Sequence, residues 1–331
     1  VKARRLLFVF KGARAASTRY RARVYYPYLR EHGWDVAEWA ASANPIARLN
    51  LLAQAARADV VVVLRKTFSA PYAWLLRMAS RRLVFDFDDA IFVRSSGAPS
   101  RLRLRRFARM IARCDHVFAG NAYLAERARA FNSRVTVVPT SIDPRKYAVD
   151  AAKPAQTLDL VWIGSTSTRK YLARALEALE RTAARVPQLR LKIVADFGLE
   201  SKRLPILPVA WSERSEAAEL AAAHIGIAPL PDNEWTRGKC ALKLLQYMAA
   251  GLPVVASPVG ANREAVEDGV TGLLADTPEE WIAAIGRLAA DPALRAAMGE
   301  AGRARVAERY AEEKVFARMH AVLESLCPSE G

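Results

Sequence analysis

Three things are scarce in this chain, and each scarcity excludes something. Of 331 residues only three are cysteine. Cys114, Cys240 and Cys327 are odd in number and scattered, with neither CxxC nor zinc-ligand spacing. A disulfide framework and a zinc module are therefore excluded, and free thiols in a reducing cytoplasm are expected. Histidine is nearly as rare, with four in all. His32, His116, His224 and His320 sit in helix-like or strand-like segments and support no Ser-His-Asp or Cys-His arrangement, so structural roles are expected. Long hydrophobic runs are missing altogether. No stretch approaches the roughly 18 apolar residues of a membrane span, and Leu6–Phe10 leads straight into a basic loop, unlike the apolar core of a signal peptide.

Acidic residues are scarce too, but only in the first half. Residues 1–150 hold 28 Lys/Arg against 11 Asp/Glu, and residues 151–331 hold the other 22 and 23. The whole excess of the +16 net charge lies in one half. That half is expected to meet something anionic: a phosphorylated substrate, anionic lipid or nucleic acid. No nucleic-acid-binding module accompanies the charge, so nucleic acid is not expected as a partner.

What is present is a twice-repeated α/β pattern. Leu6–Phe10, Val36–Trp39, Val60–Leu64, Leu83–Phe87, His116–Ala119 and Val135–Val138 read as strands covered on both faces, with helical segments between them. A stretch without periodicity, 148–159, reads as a linker. The pattern restarts at Leu158–Ile163, Leu189–Val194, Ile206–Ala210, Ile225–Ala228 and Val254–Ser257. Two doubly wound, Rossmann-like α/β domains in tandem are expected, with ligands beyond the carboxyl ends of the strands in a central cleft. The expected limits are 1–150 for a basic acceptor-binding domain and 151–311 for a nucleotide-binding one. An amphipathic helix in 312–331 is expected to pack back toward the first domain.

The most informative stretch is GKCALKLLQYMAAGLPVVASPVGANREAVEDGVTGLL, residues 238–274. Gly238 reads as a helix entry and Gly251 as its end, with Pro253 beyond. Lys239, Lys243 and Gln246 would then share a face spanning roughly 10 Å. Free N–H groups at Lys239, Cys240 and Ala241, with the two lysines, would suit a diphosphate, and Gln246 a ribose. An ordinary helix with two snorkelling lysines fits the same spacing. The stretch resembles the donor-binding signature K-x-x-E-Y-M-A-x-G-x-P-V-V of retaining GT-B glycosyltransferases of family 4. Gly260, Glu264, Asp268, Gly269, Thr271 and Gly272 are similar to that family's further elements.

The chain departs from the family at its E-x7-E pair, which falls on Gly238 and Gln246. The resemblance is to a subgroup with Gln in place of the second Glu. Asp232 and Glu234 are the candidates to replace the first. The turn after Leu158–Ile163 carries Gly164, Ser165, Thr168 and Arg169, a second diphosphate-binding candidate. In the first half, Ser17, Arg19 and Arg21 follow the first strand and suit a phosphate or carboxylate, although a solvated basic loop fits them as well. Residues 100–114 place Leu104, Phe107, Met110 and Ile111 on one side and Arg105, Arg106, Arg109 and Arg113 on the other. That is the pattern of a helix lying on an anionic membrane, or of a surface helix packed on its own sheet.

The segment FDFDD, 85–89, has the D-x-D form of a metal site, but on a strand Asp86 and Asp88 point one way and Asp89 the other. The resemblance aligns Asp88 with a family histidine near the donor sugar. Asp88 and Asp89 are therefore the expected reacting-centre carboxylates with Lys243, and Asp86 is expected to be structural or paired with an arginine. The implied activity is metal-independent hexosyl transfer without cofactor, from a nucleoside-diphosphate sugar to an anionic, lipid-linked or cell-envelope glycan acceptor, with retention. The implied location is the inner face of the cytoplasmic membrane. A nucleotide-sugar epimerase of the same fold, or a non-catalytic nucleotide-sugar or membrane binder, fits the same residues.

Overall fold

The computed structural model describes residues 3–12 and 15–328. They form two compact units, one of Val1–Ser141, Asn233–Cys240 and Glu312–Gly331, the other of Ile142–Asp232 and Ala241–Ala311. The expected limit at 150/151 thus differs from the observed partition. Residues 142–150 cluster with the second unit, and 233–240 return to the first.

The first unit is built on strands β1 (Arg4–Phe10), β2 (Trp34–Ala40), β3 (Val60–Leu64), β4 (Arg82–Phe87), β5 (His116–Ala119) and β6 (Val135–Val137). Their order is β2-β1-β3-β4-β5-β6, and every pairing is parallel. VVVVL of β3 is buried throughout, as a central strand covered on both faces must be. One face carries Val61, Phe85 and Phe107 in a single apolar cluster. The other holds Phe8, Tyr25 and Leu29 with Val315, Phe316, Met319 and Leu323 of the terminal helix Glu312–Leu326.

The second unit contains β7 (Leu158–Ile163), β8 (Leu189–Ala195), β9 (Ile206–Ala210), β10 (Ile225–Ala228), β11 (Val254–Ala256) and β12 (Gly272–Leu274), in the order β12-β11-β10-β7-β8-β9. This is the Rossmann order, all parallel, with the direction of winding reversing between β7 and β10. The expected fold of two parallel-sheet Rossmann-like domains is what the structure contains. Strand β12 is the element the sequence did not announce: GLL is too short to register as a periodic run. Among the described residues, no helix is long and apolar enough to cross a membrane.

Candidate functional site

In the first unit, β4 delivers the carboxylates of FDFDD to the carboxyl edge of the sheet. Asp86 is buried on the strand and holds Arg21 through both carboxylate oxygens, one contact being Arg21 Nη2 to Asp86 Oδ2 at 2.9 Å. Arg21 Nη1 also donates to the Val138 carbonyl at 2.9 Å. Burial alone would lower the pKa of Arg21, but the Asp86 charge and hydrogen bonds raise it, so the guanidinium stays charged. Arg21, expected to face a ligand phosphate, is instead 2% exposed and tied into the core. The expectation that Asp86 pairs with an arginine matches the geometry. Ser17 is also buried, and Arg19 lies over the Tyr20 ring at 4.8 Å.

Beyond the strand, Asp88 and Asp89 meet a residue that sequence reading passed over. Arg65, directly after β3, binds Asp89 through Nη2 and sets Nε 3.2 Å from Asp88 Oδ1. Its φ of 54° is the left-handed conformation that a side chain rarely adopts. Its amide donates to the Asp86 carbonyl at 2.8 Å, which fixes that conformation against β4. Lys239 Nζ closes the other side of Asp89 at 2.7 Å and stands 4.7 Å from the Trp235 ring centroid. Burial pushes the Asp89 carboxyl upward, while Lys239 pulls it back. Asp88 Oδ1 is buried and accepts no hydrogen bond, despite its closeness to Arg65. Cys240 Sγ donates to the Asp88 carbonyl at 3.4 Å, and burial followed by the Asp88 charge holds its thiol well above the ordinary range. Among the described residues, no group of three or more His, Cys, Asp or Glu side chains is placed to hold a metal ion.

The winding of the first sheet reverses between β1 and β3, and Lys11 and Lys66 follow those two strands. Burial lowers the Lys66 pKa, and the charges of Lys11, Arg48 and Arg106 lower it further. This edge is therefore a concentration of positive charge at the place where open parallel sheets take their ligands.

In the second unit, the corresponding edge begins at Gly164. A Cβ there would run into the Trp162 ring and come within 2.6 Å of Lys243 Nζ, so only glycine fits. Lys243 donates to the Ile163 carbonyl and stands 4.1 Å from the Trp162 ring centroid. Ser165 begins the turn: its amide donates to Thr168 Oγ1 at 3.2 Å, and Thr168 Oγ1 donates back to the Ser165 carbonyl at 3.0 Å. Arg169 is exposed, its guanidinium 5.6 Å from the Phe197 ring centroid. The structure thus gathers Gly164 and Lys243 at one edge, with Ser165, Thr168 and Arg169 on the adjoining turn.

The expected helix from Gly238 is corrected. A short helix, Glu234–Arg237, precedes it, and the next spans Leu242–Ala249. Ala241, at φ 55°, separates them. The Lys239 amide is already bonded to the Thr236 carbonyl at 3.0 Å, so Lys239, Cys240 and Ala241 do not offer a helix N-terminus. Nor does Lys239 share a helical face with Lys243, since it clusters with the first unit. Glu234, a candidate substitute for the missing Glu, pairs with Arg127 at 3.4 Å.

Both departures from E-x7-E have a local cause. A Cβ on Gly238 would meet the Ala90 backbone nitrogen at 2.6 Å, which leaves no room for a glutamate. Gln246 is 4% exposed and donates its amide to Tyr147 Oη at 3.0 Å. The same amide is 3.5 Å from Glu216 Oε1, which also accepts from Tyr147 at 2.6 Å and Lys146 at 2.8 Å. Trp211 Nε1 donates to the second Glu216 oxygen at 2.8 Å. A glutamate at 246 would put a second buried carboxylate against Glu216, whereas an amide donates to it. Gln246, expected at a ribose, is thus committed to this network.

Residues 157–291 match the family described as glycosyl transferases group 1. Over that span, somewhat under half of the chain, the sequence is similar to that family. The chain is 29% identical, over 80% of its own length and 70% of the relative's, to a GDP-mannose-dependent alpha-(1-6)-phosphatidylinositol monomannoside mannosyltransferase of Mycolicibacterium smegmatis. D-inositol 3-phosphate glycosyltransferases of Corynebacterium jeikeium and Thermobispora bispora are 28% and 32% identical, and the chain spans about half the length of each. In fold, the chain is similar to sucrose-phosphate synthase of Thermosynechococcus elongatus (TM-score 0.76, 16% identity, 99% of this chain and 100% of that one). It is also similar to Anabaena Alr3699/HepE solved with UDP-glucose (TM-score 0.74, 16% identity, 97% and 99%). At such identities the structural likeness bears on the fold alone. Within the group 1 segment, Asp268 and Thr271 are structural, the first accepting from the Leu274 amide at 2.8 Å and the second from the Glu267 amide at 2.9 Å.

Proposed function

We propose that the chain is a retaining glycosyltransferase that moves a hexosyl group from a nucleoside-diphosphate sugar to an anionic, lipid-linked or cell-envelope glycan acceptor. The observation that carries this reading is Lys243 beside Gly164 at the winding reversal of a Rossmann sheet, inside the segment that matches glycosyl transferases group 1. In this reading the donor diphosphate lies over the Gly164–Arg169 turn, with Lys243 leaving the Ile163 carbonyl to neutralise the departing phosphate. That phosphate takes up the acceptor proton, so no cofactor or metal is required. The first unit is the acceptor-side unit. The unbonded Asp88 oxygen supports a sugar-hydroxyl contact there, with Asp89 paired to Arg65 and Lys239.

The named relatives favour a mannosyl donor and an inositol-phosphate-bearing acceptor as the first candidates. The basic first unit supports an anionic acceptor and a place on the inner face of the cytoplasmic membrane, without nucleic acid. A thermal-shift panel of GDP-, UDP-, ADP- and dTDP-sugars tests the donor site, because a ligand bound only by the folded chain raises the melting temperature. One of these donors is expected to raise it, by about 3 kcal/mol of stabilisation at a hundredfold excess over Kd. Lys243→Ala is expected to lose the shift while melting normally in buffer. A full shift in that variant would overturn the donor assignment.

A further inference from the structure

The helix Arg101–Ile111 was expected to lie on a membrane through its apolar side. The structure closes that route, since Phe107, Met110 and Ile111 are buried in the core of their own unit. A different apolar surface is left open beside it. The helices Pro45–Arg57, Ala70–Ala79 and Arg101–Ile111 pack in sequence on one face of the first sheet. Of the ten large hydrophobic side chains exposed among the described residues, seven lie on these three helices. Ile46, Trp74, Met78 and Leu102 are 69, 54, 67 and 60% exposed. Scattered exposed apolars need no explanation, but concentration on three neighbouring helices does.

The charge on the same helices points to the occupant. They carry two, one and five arginines in turn, and no Asp or Glu. Leu102 shares its outward stripe with Arg105, Arg106 and Arg109 at helical spacing, so apolar and cationic groups are interleaved. Three helices without a single carboxylate of their own suit an anionic partner; among the described residues Arg77 alone of their arginines is paired with a carboxylate, Asp115 at 3.4 Å. Ile46, Leu49, Met78 and Leu102 are aliphatic and fit hydrocarbon, whereas a nucleic acid would call for flat stacking groups.

We propose that the exposed face of these three helices is a docking surface for an anionic lipid bilayer, with Ile46, Leu49, Trp74, Met78 and Leu102 entering the headgroup boundary and the arginines binding lipid phosphates. This deepens the membrane location proposed above by assigning it to a surface. It stands apart from the donor site, because vesicle binding is measured with no sugar nucleotide present.

The test is flotation of the full chain with vesicles of phosphatidylcholine alone and of equimolar phosphatidylcholine and phosphatidylglycerol. Binding is expected only to the second and is expected to weaken with salt, roughly fivefold for each basic side chain lost. Arg105→Glu with Arg109→Glu is expected to abolish it. Trp74→Ser with Met78→Ser, both exposed, is expected to keep the melting temperature and weaken binding most at high salt. Brominated acyl chains are expected to quench part of the tryptophan emission, and Trp74→Phe to remove that part. Equal binding to both vesicle types, or variants that float like the parent, would overturn the proposal. So would a dimer in vesicle-free solution that the Trp74→Ser, Met78→Ser variant dissociates, because a second copy would then be the occupant.

Discussion

Arg65 shows most sharply what a single residue contributes. Its left-handed backbone costs about 1 kcal/mol, as it does for any side-chain-bearing residue, and the return is one guanidinium set against Asp88 and Asp89. Removing it leaves two neighbouring carboxylates with Lys239 as the remaining cation described at Asp89. Arg65→Ala is expected to lose about 2 kcal/mol in urea unfolding. Arg65→Gly should lose about 1 kcal/mol less, because glycine tolerates the conformation without strain. Equal losses would mean that the backbone there is not strained. Nothing in the string LRKTF announces a left-handed turn, so this residue was illegible in the sequence. Asp86 was legible, since a carboxylate within a buried strand must find a cation. Its partner Arg21 was mistaken for a ligand contact, because sequence shows a loop's charge but not its burial.

At the scale of elements, the helix Leu242–Ala249 and its surroundings separate what pattern can and cannot tell. Its end at Gly251, φ 75°, was readable from the Gly-Leu-Pro that follows the apolar run. Its start was not, because Ala241 in a left-handed conformation looks like any helical alanine. The Glu216 network was likewise invisible, drawn together from Lys146, Tyr147, Trp211 and Gln246 by the folding of four segments. The titration of buried groups in the second unit, His224 and Glu216 among them, can be checked. The His224 ring accepts the Asp159 amide at Nδ1, and burial depresses its pKa to about 4 from 6.5. The unfolded chain therefore binds a proton that the folded chain refuses as pH falls from 6.5 toward 4, and stability is lost in that window. Burial alone would raise the Glu216 pKa, but hydrogen bonds from Lys146, Tyr147 and Trp211 lower it below 4.5, so it adds loss in the same direction at more acid pH. Gln246→Glu reverses the sense locally: the new pair of carboxylates holds a proton in the folded state and loses stability as pH rises. That variant is expected to be about 3 kcal/mol less stable than the parent at neutral pH, with the gap narrowing toward pH 5 in thermal melts. Adding Glu216→Gln is expected to restore part of the loss. A gap independent of pH would contradict the account.

For the whole molecule, two parallel sheets were legible because their strands are short apolar runs at regular spacing, which only a doubly wound fold can cover on both faces. The partition of the chain was less so: 233–240 read as the start of a donor helix, yet their packing against Ala90 and Asn121 places them with the first unit. The asymmetry of charge was legible as a number, while the surface that bears it depended on seeing three helices side by side. The fold and the similarity of residues 157–291 to glycosyl transferases group 1 favour glycosyl transfer, and chemistry must test it. The most direct measurement follows labelled mannose from GDP-mannose, and labelled sugar from the other nucleotide sugars, into a phosphoinositol-bearing lipid extract in the presence of chelator. Acceptor-dependent transfer by the parent chain, undiminished by chelator and absent in Lys243→Ala, is the predicted result. Conversion of donor without any acceptor, or transfer that Lys243→Ala leaves intact, would contradict it.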